Sequence, residues 1–141
     1  MLRQGALNHP LTPVLRSVGP QSCPGRFNFH CHTVCSDGSL DPLALALQAL
    51  DLGLEQMAVT DHHSLAAHDP IAAFFAERQR DGQTVPTLWR GVEISCLLEG
   101  CLVHVLALGF SEEHSSLHRY LQGSAVVGPD LQAAAVLRAI H

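Results

Sequence analysis

Two histidines separated by a single residue, His30 and His32, are the first side chains in the sequence that could bind one metal ion together. Residues two apart on a β-strand point to the same side, so both imidazoles can reach the same cation. His62 follows at the end of an apolar segment, and Glu93 and His104 each lie between two apolar residues. Imidazole and carboxylate groups are ligands for divalent transition metals, so the spacing predicts a metal site.

Each of these residues also has an ordinary structural role open to it. Asp37, in Ser36-Asp37-Gly38, is typical of a turn residue that hydrogen-bonds its own backbone. Glu93 could form a buried salt bridge, His104 could be a core histidine, and an isolated His-x-His pair also occurs at capping or surface positions. It is the conjunction of these residues in one short sequence that favours a metal site over the separate structural roles.

The residues next to His62 need separate consideration. Asp61 could orient a metal ligand through a hydrogen bond, or it could cap the segment that follows. His63 is expected to face away from the site, because consecutive strand residues point to opposite sides. His68 falls in a predicted loop, where a solvated histidine is expected, so His63 and His68 are left out of the predicted ligand set.

The elements that would position these residues follow a βα rhythm. Alternating residues 27–32 predict a strand whose polar face carries both imidazoles. Asp41 then predicts the N-cap of an apolar helix that stops at Gly53. Residues 56–60 predict a second, buried strand, and Asp69-Pro70 predicts the start of a second helix.

The remainder of the chain predicts a hairpin followed by two helices. Residues 85–95 and 101–110 read as strands, joined by a turn at Glu99-Gly100. Helices are expected at residues 111–121 and 131–140. Residues 1–25 contain four prolines and no acidic residue, which predicts an irregular N-terminal extension.

The composition bounds the class of protein. The 141 residues are 47% hydrophobic and 15% charged, with a net charge of −5. That balance argues against disorder and provides no basic footprint for duplex nucleic acid or an anionic membrane. The apolar stretches fall short of the ~18 residues that would span a bilayer. Five cysteines without a CxxC pair indicate neither a disulfide framework nor a zinc ribbon, so we expect one soluble domain in the cytoplasm.

Four ordered motifs resemble the polymerase and histidinol phosphatase (PHP) family of metal-dependent phosphoesterases. They are His30-Cys31-His32-Thr33 with Ser36-Asp37-Gly38, Thr60-Asp61-His62, Gly91-Val92-Glu93-Ile94-Ser95, and the segment from His104 to Gly109. The resemblance covers about residues 26–141. The residues that make up these motifs are most similar to those of the branch that hydrolyses nucleotide phosphomonoesters or short oligonucleotides.

The resemblance implies an α/β fold, a distorted (β/α)7 barrel, of which this chain would carry about the first half. One face of the barrel would bind two or three divalent metal ions, either Mn, Fe or Zn, with Glu93 as the bridge between two of them. A metal-bridged hydroxide would attack the phosphorus of a small phosphorylated substrate. The residues that match the family's ligand positions are His30, His32, Asp37, His62, Glu93 and His104.

The family's later ligands, a histidine in an Ala-His-Pro-like segment and an Asp-x-His pair, have no counterpart in this sequence. Three hypotheses therefore stay open: a phosphoesterase, a non-catalytic metal-binding module, and an inactive truncated fragment. An incomplete barrel would leave an unpaired edge that favours self-association. Neither duplex nucleic acid nor a membrane is expected as a partner.

Overall fold

The computed structural model describes residues 9–22, 25–111, 117 and 119–121. Helices and strands alternate along this part of the chain. In order, they are α1 (Leu11–Ser17), β1 (Phe27–Asn28), α2 (Pro42–Asp51), β2 (Gln56–Val59), α3 (His68–Arg80), β3 (Thr87–Leu98) and β4 (Cys101–Leu108).

The strands form one curled sheet in the order β1-β2-β3-β4, which makes the fold mixed α/β. β1 pairs with β2 and β2 with β3 in parallel, as two βα units predict. β3 and β4 form the predicted antiparallel hairpin. Its turn contains Glu99 and Gly100, both with positive φ, the geometry of a two-residue turn that matches the twist of the strands.

The first strand is shorter than predicted. Residues 27–32 are expected to pair throughout, but the ladder of β1 ends at Asn28. The reason is local, because the Asn28 side-chain oxygen accepts a hydrogen bond from the His30 amide at 3.1 Å. The chain nevertheless continues beside β2, since the Thr60 amide donates to the Cys31 carbonyl at 2.8 Å.

The two long helices begin differently. Asp41 caps α2 as predicted, accepting hydrogen bonds from the amides of Leu43 and Ala44. The predicted cap at Asp69 is wrong. α3 already begins at His68, the residue before Asp69, and its start has no side-chain cap. A turn that leads directly into the helix makes this possible, and Pro70 then lies in the first helical turn, where its missing N–H is not needed.

The N-terminal segment is predicted to be irregular, but residues 11–17 of it form the helix α1. Pro13 lies in the first turn of this helix, which tolerates proline. Leu11 is buried, and the His9 ring lies 2.7 Å from the Gly109 carbonyl at the end of β4. The Leu11 amide donates to the other ring nitrogen of His9 at 3.1 Å. A contact about one hundred residues away in sequence therefore orders this segment, and local composition could not reveal it.

Two apolar clusters hold the layers together. The larger packs α2 and α3 on the sheet, with Met57 and Ile71 fully buried at its centre. The smaller lies on one face of the hairpin around Val92 and Ile94. Gly91 lets β3 approach β2 closely, because a Cβ there would lie 2.7 Å from the Val59 carbonyl oxygen. Glu93 follows Val92 directly, so this packing also fixes the backbone position of Glu93.

Most of the predicted helix 111–121 and all of the helix predicted at 131–140 lie outside the described residues. Among the described helices, none has the length and apolar character needed to cross a membrane.

Candidate metal centre

The six predicted residues meet where the parallel strands end. His30 and His32 follow β1, and His62 follows β2. Glu93 lies in β3 just beyond its parallel pairing with β2, and an isolated parallel bridge joins His62 to Glu93. Carboxyl ends of parallel strands meet at one edge, so these residues converge there as the sequence predicts.

His104 reaches the site from the hairpin. His104 pairs with Ser95 in the antiparallel register. Glu93 lies two residues before Ser95 on the same strand, so the side chains of Glu93 and His104 lie on the same face of the sheet. Diagonal neighbours of this kind are within reach of long side chains. The Nδ1 atom of His104 lies 2.6 Å from Oε1 of Glu93.

Glu93 is the centre of the cluster. Only 4% of the residue is exposed. Its Oε2 atom lies 2.8 Å from Nε2 of His30, 2.9 Å from Nε2 of His32 and 3.9 Å from Nε2 of His62. A buried carboxylate is costly unless it is paired, and four imidazoles surround this one.

Asp37 lies on the outer side of the cluster and is exposed. Its Oδ1 atom is 2.8 Å from Nδ1 of His32, and its Oδ2 atom is 3.5 Å from Nε2 of His62. Asp37 is therefore more than a turn residue, since its carboxylate faces two of the predicted ligands.

The rings of the four histidines follow one another around Glu93. Ring centroids are 5.2 Å apart for His30 and His32, 4.9 Å for His32 and His62, and 5.2 Å for His62 and His104. Three overlapping groups have ligand atoms within 4.8 Å of one another and so could each hold an ion: His30, His32 and Glu93; His32, Asp37 and His62; and His62, Glu93 and His104.

The electrostatics favour ionised carboxylates. Burial by itself raises the pKa of Glu93, but hydrogen bonds from His30 and His104 and the charges of His30 and His62 outweigh burial, and the pKa is lowered. For Asp37, partial desolvation by itself also raises the pKa, but the charges of His32 and His62 and local hydrogen bonds together outweigh it, so the pKa of Asp37 is lowered as well. Both groups are thus available as anionic ligands.

Asp61, His63 and His68 belong to none of the three groups. Asp61 accepts hydrogen bonds from the loop that carries Asp37. His63 has a positive φ, accepts a hydrogen bond from the Ser95 amide and contacts the Tyr120 hydroxyl at 3.2 Å. His68 is the first residue of α3 and is largely buried beside Asp69, in contrast to the solvated loop position that the sequence predicts.

Cys31 lies between the two histidines of the first motif but is unsuited to act as a thiolate. Burial, and then the charge of Asp61, raises the pKa of Cys31 to about 12. Its thiol donates to the Ala58 carbonyl at 3.3 Å instead. The groups that could serve as metal ligands here are therefore imidazoles and carboxylates.

The sequence is similar to several bacterial 5′-3′ exoribonucleases, although no protein-family model matches it. The Rnm protein of Escherichia coli K12 is 35% identical over 95 residues, which cover 67% of this chain and 31% of that protein. The Rnm protein of Salmonella typhimurium LT2 is 34% identical over the same shares. The Haemophilus influenzae Rd protein is 32% identical over 69% of this chain and 33% of its own length.

Two solved structures are similar as well. A Bifidobacterium adolescentis protein assigned as a metal-dependent phosphoesterase has a TM-score of 0.57 and 32% identity, covering 71% of this chain and 33% of that one. An amidohydrolase from Chromobacterium violaceum has a TM-score of 0.60 and 26% identity, covering 70% of this chain and 32% of that one.

The fold, the clustered histidines and these similarities point to one class of protein. That class is the metal-dependent phosphoesterases and their relatives. Over two thirds of its own length the chain resembles proteins of this class, in agreement with the resemblance of its four motifs to the PHP family. It spans about a third of the length of the relatives that it matches.

Proposed function

We propose that this chain carries the metal centre of a PHP-type phosphoesterase. The observation that supports this most strongly is Glu93, a buried carboxylate within 2.9 Å of nitrogens of three histidines. The proposed ligands are His30, His32, Asp37, His62, Glu93 and His104, with Glu93 shared between ions.

The donor set fits divalent cations. With neutral imidazoles, the two carboxylates leave a charge of −2 in a small volume, and a like-charged pair of this kind is stabilised by a cation. Imidazole together with carboxylate suits Mn, Fe or Zn better than an all-oxygen site would. Three ligand groups provide for two or three ions, which agrees with the number that the resemblance implies.

The protein's own contribution is to hold the ligands and leave one side of the site open. Glu93 is fixed within β3, whereas the side chains of His30 and His104 are about half exposed and flank the entrance. When bound, divalent cations supply Lewis acidity toward a phosphate ester and offset its negative charge. A phosphate group can approach from the exposed side, where Asp37 also lies.

We infer the surroundings of this site from the family. The described sheet would be part of a distorted (β/α)7 barrel, of which residues 26–141 would supply about the first half, with residues 1–25 as an extension. Four of the cysteines are free thiols, which supports a reducing, cytoplasmic setting.

We propose a nucleotide or short oligonucleotide as the substrate. The support is the similarity to proteins named 5′-3′ exoribonucleases. A single-stranded end or a small phosphomonoester fits an open site of this kind, around which the described residues form no stripe of basic side chains. The absence of duplex binding stays a prediction.

The test is hydrolysis of phosphate esters by the 141-residue chain with Mn²⁺. The substrates would be p-nitrophenyl phosphate, a nucleoside monophosphate and a short 5′-phosphorylated oligoribonucleotide. Glu93→Gln removes the shared ligand, whereas Glu55→Gln, which loses only an exposed ion pair with Arg26, serves as the control. We expect turnover in the unaltered chain and in the control, and at least a 100-fold loss in Glu93→Gln.

Equal turnover in the Glu93→Gln variant would contradict the proposed site. Retention of metal without hydrolysis of any of these substrates would instead favour the non-catalytic metal-binding module.

A further inference from the structure

Asp61 is a buried carboxylate that the proposed metal centre does not use. Only 1% of the residue is exposed, and it lies outside every ligand group found among the described residues. A carboxylate in such a position is strongly destabilising unless hydrogen bonds replace its lost hydration. Its partners therefore indicate its role.

All three of its short hydrogen bonds come from one loop. The Thr33 amide donates to Oδ1 at 2.7 Å, the Ser36 hydroxyl donates to the same oxygen at 2.6 Å, and the Thr33 hydroxyl donates to Oδ2 at 2.7 Å. These lengths are those of charge-assisted hydrogen bonds, which are about twice as strong as neutral ones.

Each donor residue is a direct sequence neighbour of a proposed metal ligand. Thr33 follows His32, and Ser36 precedes Asp37. The acceptor, Asp61, precedes His62. The three ligands of one group, His32, Asp37 and His62, are thus each adjacent in sequence to a member of this hydrogen-bond network.

The loop itself has little freedom to compensate for a lost bond. The amides of Ser36 and Gly38 both donate to the Thr33 carbonyl. A Cβ at Gly38 would lie 2.4 Å from the His32 carbonyl carbon, so the loop folds tightly back on itself. A change at Thr33 is therefore transmitted to the backbone that carries Asp37.

We propose that Asp61 is a positioning residue, which holds the loop 33–38 so that Asp37 and His32 face His62 before any ion binds. This role rests on the proposed metal function. Removing one partner of a buried charged network leaves the others uncompensated, so loss of Asp61 should release the loop. Hydrogen-bond partners of metal ligands typically contribute 10–100-fold to metal affinity.

The first experiment measures Mn²⁺ affinity of the full chain by calorimetric titration. Asp61→Asn puts an amide N–H₂ among three donors, and we expect Mn²⁺ to bind 10–100-fold more weakly. Glu55→Gln, an exposed acid-to-amide change, should leave the affinity unchanged. Unchanged affinity in Asp61→Asn would overturn the role.

A double-mutant cycle separates positioning from general stability. If Asp61 acts through Asp37, Asp61→Asn should have less than a threefold effect on Mn²⁺ affinity in a chain that already carries Asp37→Asn. A merely structural role would give the same fold-change in both backgrounds, which would contradict the proposal. Amide hydrogen exchange of Thr33 should also accelerate at least tenfold in Asp61→Asn without metal.

Thr33 provides the same test if Asp61→Asn does not fold. Thr33→Val removes the hydroxyl at nearly constant volume and should weaken Mn²⁺ binding about tenfold, whereas Thr33→Ser should restore it. Equal affinity in both variants would overturn the role of Asp61 and leave the metal site intact. If the unaltered chain bound no Mn²⁺, the proposed function would fail, and the positioning role with it.

Discussion

At the scale of residues, the site depends on one carboxylate with an unusual setting. Glu93 is buried, yet hydrogen bonds from His30 and His104 keep its pKa below the ordinary value. His32 and His62 also face it from the ends of β1 and β2. Glu93 therefore stays ionised where burial alone would favour the protonated form.

This lowered pKa predicts acid sensitivity of the metal-free chain. The unfolded state takes up a proton on Glu93 at a higher pH than the folded state, so the free energy of unfolding falls as pH drops below about 4.3 through the folded pKa. The contribution is fully present at pH 7. Urea unfolding from pH 7 to 3 should show a steeper acid loss for the unaltered chain than for Glu93→Gln, and parallel curves would contradict this.

The residue scale also shows what the sequence could predict of the site. Residue types, spacing and the family resemblance together predicted six residues that the structure brings together. Strand periodicity and the order of the βα units are readable from sequence. The choice for Asp61 between orienting a metal ligand and capping the segment that follows was not readable. It depends on the distance to Thr33 and Ser36, which lie 25 or more residues earlier in the chain.

At the scale of elements, the helix starts and the loop at 33–38 decide how well the strands present their residues. Asp41 precedes α2 and lies after this loop, while His68 opens α3 after the segment that carries His62. The sequence predicted equal caps at Asp41 and Asp69, since both precede a proline. Only Asp41 has the extended backbone of a cap, whereas Asp69 lies inside the first helical turn.

The two aspartates should therefore differ in their effect on stability. Asp41→Ala removes two hydrogen bonds to free helix amides and should lower the free energy of unfolding by about 1 kcal/mol. Asp69→Ala removes an exposed charge near the helix start and should cost only about 0.3–0.5 kcal/mol. Urea unfolding of both variants decides this, and equal losses would show that the correction to α3 is wrong.

The loop at 33–38 is expected to require glycine at one position. Gly38→Ala would force a Cβ into the backbone of His32 and Thr33, so Mn²⁺ affinity should fall at least tenfold and stability should fall by about 1–3 kcal/mol. Gly19→Ala is the matched control, because a Cβ there meets nothing within 4 Å. Titration calorimetry and urea unfolding report the two effects, and wild-type behaviour of Gly38→Ala would contradict the loop geometry.

At the scale of the whole molecule, the described residues join two parallel βα units to an antiparallel hairpin. The sequence predicted this order because the turn residues and the burial pattern are local signals. It did not predict α1, whose ordering depends on contacts of His9 and Leu11 with the end of β4. Prolines argued for irregular structure there, and a distant contact outweighed them.

Docking of α1 predicts that its buried face contributes to stability. Leu11 is 3% exposed and Leu15 is 47% exposed in the same helix. Leu11→Ala should lower the free energy of unfolding by about 2 kcal/mol, whereas Leu15→Ala should cost no more than about 0.5 kcal/mol. Urea unfolding of the pair measures the difference, and equal small effects would mean that residues 9–17 do not pack on the sheet in solution.

The central claim is that this chain assembles a metal centre around Glu93. Its most direct test is elemental analysis for Mn, Fe and Zn after exhaustive dialysis of the purified chain, beside Glu93→Gln and the control Glu55→Gln. We predict at least one mole of retained metal per mole of chain and of the control, and less than a tenth of that in Glu93→Gln. Absence of retained metal from the unaltered chain, or equal retention in Glu93→Gln, would contradict the claim.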